Sequence, residues 1–158
     1  ALLHTAGATD RRGTAKDRNT VGDSAPEARA RGISTELSVA SCRFMDEDWA
    51  LIDCPGSVEL LSDSRAALMV ADLAVVVCDP FPERAIAVSP LLKFLDDRRI
   101  PHLIFVNRMD APEAQLRATF HALQALSDRP LALREIPLRD AAGQVTGMIE
   151  PVSERAWA

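Results

Sequence analysis

The sequence predicts an α/β domain with a mostly parallel sheet covered by helices, followed by the start of a small α+β unit. Three observations carry this. Leu73 to Cys78 and His102 to Val106 are short, uninterrupted apolar runs of the kind found in strands buried on both faces. Between them, Val88, Leu91, Leu92 and Leu95 recur at i, i+3, i+4, i+7, the spacing of one helical face. Two polar tetrapeptides, Asp53-Cys54-Pro55-Gly56 and Asn107-Arg108-Met109-Asp110, each follow directly on an apolar run. Strands alternating with helices pair in parallel, and such sheets bind ligands at the carboxyl ends of their strands. Both tetrapeptides fall at such ends.

Element by element, residues 1–3 read as the tail of a helix. Residues 5–32 are rich in Thr, Gly, Ala, Asp and Arg and lack apolar periodicity, so they read as a long mobile loop. Alternation at Leu37, Val39 and Ser41 predicts a strand over 36–44. Asp46-Glu47-Asp48 reads as a tight acidic turn, and Trp49 to Ile52 as the returning antiparallel strand. Val58, Leu61, Ala66, Leu68 and Met69 suit the apolar face of a helix. Asp79-Pro80-Phe81-Pro82 ends the strand over 73–78, and Ile100-Pro101 ends the next helix. Pro112 suits the first turn of a further helix, whose buried face is Leu116, Phe120 and Leu123. Beyond about residue 128, Leu131 to Leu138 and Val145 to Ile149 read as strands around a turn at Asp140 to Gly143. The expected organisation is one domain over 1–127 and the start of a small subdomain over 128–158.

Composition narrows the function classes. The 158 residues, 47% of them hydrophobic, suffice for one domain with a real core. A net charge of -5 gives no general case for nucleic-acid binding and none for DNA. Residues 10–31 are locally basic, with six Arg or Lys against four acids, which suits either a solvated loop or a segment ordered by phosphate or RNA. Cys42, Cys54 and Cys78 form no C-x-x-C pair and stand by no histidine cluster, so disulfides and structural zinc are not expected and a reducing cytoplasm fits. No apolar run approaches the ~18 residues of a membrane span, and no signal-peptide pattern opens the chain.

The motifs carry the functional reading. A run ending in D-x-P-G and a later one ending in N-[KR]-x-D is how GTPases present nucleotide-sensing residues. The chain here resembles the translational GTPases, closest to elongation factor G and elongation-factor-G-like proteins. Glu27-Ala28-Arg29-Ala30-Arg31-Gly32-Ile33-Ser34-Thr35 is similar to the family's E-x-x-R-G-I-T switch segment. Asp53 to Gly56 resembles its D-T-P-G, and Asn107 to Asp110 its N-K-M-D. Pro130 to Pro137, with Gly147 to Val152, is similar to the insert that elongation factor G carries within its GTPase domain. No G-x-x-x-x-G-K-[ST] occurs, so the chain lacks the Gly-rich cradle and lysine for phosphates and reads as a piece cut just after that loop.

The resemblance implies a P-loop-NTPase-like GTPase fold with GTP or GDP and Mg2+ as ligands. Ser34 or Thr35 would supply a hard oxygen to magnesium, and Asp53 would hold the ion through water. The Gly56 amide would approach the γ-phosphate, with no side chain in the way. Asn107 would hold its loop and touch the base, the stem of Arg108 would cover it, and Asp110 would accept two guanine N–H bonds that adenine cannot supply. Each residue also has a plainer reading: Ser34 and Thr35 start a strand, Asp53 caps one, Gly56 is a turn glycine, and Asn107 and Asp110 cap a helix ahead of Pro112. Ser57 is the catalytic candidate. It stands where the family has a water-orienting histidine, and serine is shorter and carries no imidazole.

The implied function is part of the GTP-binding domain of an elongation-factor-G-like translational GTPase. It would act on the ribosome, RNA and protein alike, in elongation or translocation, in the cytoplasm and away from membranes. The alternative is a pseudo-GTPase or nucleotide-dependent binding module with little hydrolysis. A third reading is a flavodoxin-like α/β domain in which both motifs are accidents.

Overall fold

The computed structural model describes residues 2–14, 17, 19–22 and 26–157, without the side chains of Glu27, Arg29 and Arg31. Those charged side chains of the switch-like segment therefore lie outside the described part of the structure. The chain divides into two compact units, Ala1–Ala71 and Asp72–Ala158.

The first unit opens with a short helix, α1 (Leu2–Thr5), in the place expected for a helix tail. The stretch over 5–32 is not all loop: Pro26–Arg31 forms a second helix, α2. The expectation failed because one and a half turns are too short to show apolar periodicity. The local signals are present, with proline at the first helical position and Ala and Arg, both good helix formers, after it. Gly32, at φ +67, closes the helix through its N–H to the Ala28 carbonyl at 2.8 Å. Ala28 of α2 is buried.

Strands β1 (Ser38–Phe44) and β2 (Glu47–Asp53) then form an antiparallel hairpin. Its turn is Met45-Asp46, both at positive φ (53 and 63), one residue ahead of the expected acidic turn. Two left-handed residues match the twist of the flanking strands, so Glu47 and Asp48 join the ladder. Trp49 donates its indole N–H to the Phe44 carbonyl at 3.2 Å and ties the hairpin end. A single 3-10 turn, Val58–Leu60, leads into α3 (Leu61–Leu68). The buried face of α3 is Ser64 and Ala67, not the expected apolar set; Val58 and Met69 are exposed.

The second unit has a parallel core, as expected. Strand β3 (Ala74–Cys78) pairs in parallel with β4 (His102–Val106), from Ala74 opposite His102 to Cys78 opposite Val106. The crossover comprises a 3-10 segment, Pro82–Val88, and α4 (Ser89–Arg98). Leu92 and Leu95 of the expected stripe have no exposed surface. Ala74, Val76 and Cys78 are buried on one face of β3. Val75, Val77, Leu103 and Phe105 are about half exposed on the other, so burial on both faces does not hold for these strands. An uninterrupted apolar run cannot distinguish the two cases.

Helix α5 (Leu116–Leu126) packs on the 3-10 segment and α4, burying Thr119 and Leu123. Pro112 lies in the turn before α5 rather than in its first turn. The loop first makes its own turns, Ala111 N–H to Arg108 carbonyl at 3.0 Å and Ala114 N–H to Ala111 carbonyl at 3.1 Å. The chain ends in an antiparallel sheet of β5 (Ile136–Arg139), β6 (Val145–Glu150) and β7 (Arg155–Trp157). The turn at Asp140 to Gly143 is where the sequence placed it. β5 starts five residues later than expected, and β7 was not anticipated.

Candidate functional site

In the first unit, Asp53 is the last residue of β2, and its register partner across the hairpin is Ser38. Ser34 and Thr35 stand just before β1, both half-buried. The chain enters the hairpin, after Ser34 and Thr35, at the end where Asp53 leaves it. Gly22 approaches from the loop before α2: a Cβ built there would lie 2.9 Å from the Asp53 carboxylate oxygen Oδ2. A side chain at residue 22 would press on that carboxylate and make it shift. By contrast, a Cβ at Gly56 would meet nothing within 4 Å, so packing within the protein does not demand glycine there.

The Cys54-Pro55-Gly56 turn is anchored from α3. Buried Ser64 donates its hydroxyl to the Pro55 carbonyl at 3.1 Å. Burial pushes the Cys54 thiol above its usual pKa, the Asp53 carboxylate pushes it further, and a hydrogen bond with Ser64 partly offsets both. The thiol is therefore protonated at neutral pH. Ser57 donates its hydroxyl to the Glu59 carboxylate, and that bond holds Glu59 below the ordinary carboxylate range. The catalytic candidate is therefore engaged within its own turn.

In the second unit, Asn107 follows β4, and its N–H bonds the Cys78 carbonyl at 2.8 Å, extending the parallel ladder by one rung. Arg108 is left-handed, at φ 56, and its guanidinium lies 3.8 Å from the Asp79 carboxylate. Asp79 immediately follows β3 and also pairs with Arg84, whose guanidinium lies over the Phe81 ring. Gln115 N–H to the Pro80 carbonyl at 2.9 Å fixes the far end of the loop. Arg139 of β5 donates to the Met109 carbonyl at 2.6 Å. Within this frame the side chains of Asn107 and Asp110 are exposed. Neither caps a helix, because the N-cap of α5 is Gln115. The plainer capping reading thus fails for this pair.

The residues that sequence reasoning missed are the supports: Gly22, Ser64, Asp79, Arg84 and Arg139. Asp79 carried a usable signal, since it ends the parallel strand adjacent to the one that Asn107 ends. Arg139 and Met109 are thirty positions apart, and no local pattern links them. Among the described residues no group of three or more His, Cys, Asp or Glu is placed to hold a metal ion. Magnesium needs few protein ligands when phosphates and water complete its shell, and Ser34, Thr35 and Asp53 are all hard oxygen donors. The donor set therefore fits that ion.

Residues 1–148 match the elongation factor Tu GTP binding domain family. The chain is 39% identical, over 99% of its length, to an elongation factor G-like protein of Synechocystis. It is 31% identical, over 99% of its length, to elongation factor G 2 of Streptomyces coelicolor. It is 29% identical, over 96% of its length, to the mitochondrial ribosome-releasing factor 2 of Anopheles gambiae. It spans 23%, 23% and 20% of those three proteins. A crystal structure of a Thermus thermophilus protein superposes with a TM-score of 0.84 at 25% identity, covering 98% of this chain and 23% of that one. The expected α/β GTPase fold and the resemblance to translational GTPases are borne out, and the chain belongs to the elongation factor Tu GTP-binding domain family.

Proposed function

We propose that this chain serves as part of the GTP-binding domain of an elongation-factor-G-like translational GTPase that works on the ribosome in elongation or translocation, in the cytoplasm. The observation that carries the reading is the loop Asn107 to Asp110. It sits at the carboxyl end of a parallel strand, where α/β sheets bind ligands, with its backbone fixed and the Asn107 and Asp110 side chains exposed. Asp110 would accept the guanine N–H pair, Asn107 would brace the base, and the stem of Arg108 would cover it. Asp53 with Ser34 or Thr35 would hold Mg2+, which neutralises phosphate charge when bound, and the Gly56 amide has open space toward a phosphate. Residues 128–158 would begin an insert of the elongation factor G type.

The names of the relatives support a ribosomal partner, elongation factor G and ribosome-releasing factor among them. Among the described residues no helix is long and apolar enough to cross a membrane. A second reading, a nucleotide-dependent switch with little hydrolysis, is favoured by the engagement of Ser57 with Glu59.

Competition binding of GTP and XTP to the full-length protein and its Asp110→Asn variant tests the base site. The amide should move preference from guanine toward xanthine, whose extra carbonyl it can meet with an N–H. Unchanged preference would remove Asp110 from that role. Turnover with and without ribosomes separates the GTPase from the non-hydrolysing switch.

A further inference from the structure

The Met109 carbonyl lies in the middle of the candidate base-reading loop, and Arg139, its donor, belongs to the first strand of the terminal sheet. One guanidinium nitrogen, Nη2, donates to the Met109 carbonyl at 2.6 Å, and the other, Nη1, to the Gly143 carbonyl at 2.6 Å. We propose that Arg139 is a positioning residue for guanine recognition, a brace that holds Asp110 at its reading angle from the β5–β6 hairpin. The proposal rests on the guanine reading of Asn107 to Asp110 and deepens it.

The Met109 carbonyl and the Asp110 N–H belong to one planar unit. Holding the carbonyl oxygen in place restricts where the Asp110 Cα sits and where its carboxylate projects. The other supports act elsewhere on the loop. Asn107 N–H bonds the Cys78 carbonyl, the Arg108 guanidinium faces Asp79, and the Arg108 carbonyl accepts the Ala111 N–H. Arg139 supplies the hold at the centre.

The brace is itself anchored. Asp140 accepts the N–H groups of Ala142 and Gln144 on its carboxylate Oδ1, both at 2.9 Å. Asp140 N–H bonds the Gln144 carbonyl and Gly143 N–H the Asp140 carbonyl, both at 3.0 Å. Arg139 therefore bridges from a turn with four internal hydrogen bonds to a loop whose two ends are fixed. The β5–β6 register shifts between Leu138 and Arg139, so that Leu138 faces Gly147 and Arg139 faces Val145. Bulges of this kind re-aim the side chain beside them. A guanidinium reaches two carbonyls at once from a planar fork, whereas a lysine ammonium at the same place is a point charge that meets them less well.

The test is equilibrium binding of GDP and IDP to the full-length protein carrying Arg139→Ala, Arg139→Gln or Arg139→Lys. IDP lacks the exocyclic amino group that Asp110 would read. Arg139→Ala should weaken GDP binding about three- to tenfold, less than a buried charge-assisted bond would give, because the arginine is exposed. It should also reduce the preference for GDP over IDP, a readout that a purely structural loss would leave alone. Arg139→Gln should behave like alanine, and Arg139→Lys should fall between it and the parent. If Arg139→Ala does not fold, the Gln and Lys variants decide. Parental GDP affinity and parental GDP-to-IDP preference in the folded variants would overturn the brace. Asp110→Asn, run alongside with GDP and XDP, separates the two failures. If it too moves nothing, the guanine reading is lost; if it shifts base preference while the Arg139 variants do not, only the brace is lost.

Discussion

Replacing Ser64 with alanine should loosen the Asp53 to Gly56 turn by a calculable amount. The hydroxyl is buried, with 4% of the residue exposed, and donates to the Pro55 carbonyl at 3.1 Å; the Leu60 carbonyl, at 3.5 Å, is a weak second partner. A neutral hydrogen bond contributes about 0.5–1.5 kcal/mol net, and leaving its buried partner unsatisfied raises the cost of removal to about 1–3 kcal/mol. Alanine returns roughly 0.5 kcal/mol through its better helix propensity within α3. The expected loss is about 1–2 kcal/mol. It would appear as a lower urea midpoint with unchanged slope and a fall of about 2–8 °C in Tm for a domain of this size. Ser62→Ala is the control, because Ser62 is exposed on the same helix and should change stability by less than about 0.5 kcal/mol. A second readout is independent of stability. Ser64 partly offsets the upward push on the Cys54 thiol, so its loss should move the midpoint of the pH profile for thiol labelling to still higher pH. Parental stability together with a parental labelling profile would refute the anchoring argument.

Three further outcomes follow from the same structure. Ser57→His in the full-length protein should raise single-turnover GTP hydrolysis about 10²–10⁴-fold if a water-orienting group is what the chain lacks; a rate unaffected by the change would exclude Ser57 from catalysis. Asp96→Ala should destabilise the domain by about 2–3 kcal/mol in chemical denaturation. Its nearly buried carboxylate accepts the Asp128 N–H at 3.2 Å and faces Arg129 at 3.5 Å, and the half-exposed Arg129 tempers the loss. Stability should fall on the alkaline side: the Cys54 and Cys78 thiols are raised mainly by burial, so the folded state holds their protons more tightly than the unfolded chain. That contribution is complete below the unfolded thiol value of about 8.5 and is lost as pH climbs from there to the raised folded values, which Cys54→Ala and Cys78→Ala should abolish in a pH series of melts.

The parts of the fold that were legible in the sequence are those set by local pattern. Val88, Leu91, Leu92 and Leu95 marked α4 because a buried stripe must recur at helical spacing. Asp53 and Asn107 were legible because each follows an apolar run that became a strand. What was missed depends on partners far along the chain or on signals too short to repeat. Helix α2 has only six residues, so its capping residues were its sole signature. The exposed face of β3, at Val75 and Val77, was misjudged because the run Ala74 to Cys78 is apolar at every position, whichever side is covered. Ser64 was passed over because a serine in a helix reads as polar surface, and only the Pro55 carbonyl explains its burial.

Three of the supports share a property that bears on the proposed chemistry. Ser64, Arg139 and the β3 strand hold the two motifs through backbone groups: the Pro55 carbonyl, the Met109 carbonyl, and the Asn107 N–H on the Cys78 carbonyl. None of these bonds uses a side chain of the motifs themselves. Asn107 and Asp110 therefore project into solvent from a backbone that is already fixed. A loop ordered before its ligand arrives loses less conformational freedom on binding, at roughly 1–2 kcal/mol for each residue whose backbone is already fixed. A loop held through its own recognition side chains would have to break those contacts first. For Asn107 and Asp110 the supports lie on the backbone and the recognition groups are left exposed, which is what preorganised sites require. This arrangement places the cost of ordering in the fold, where Ser64 and Arg139 can be removed and the effect measured without touching a residue that would contact nucleotide.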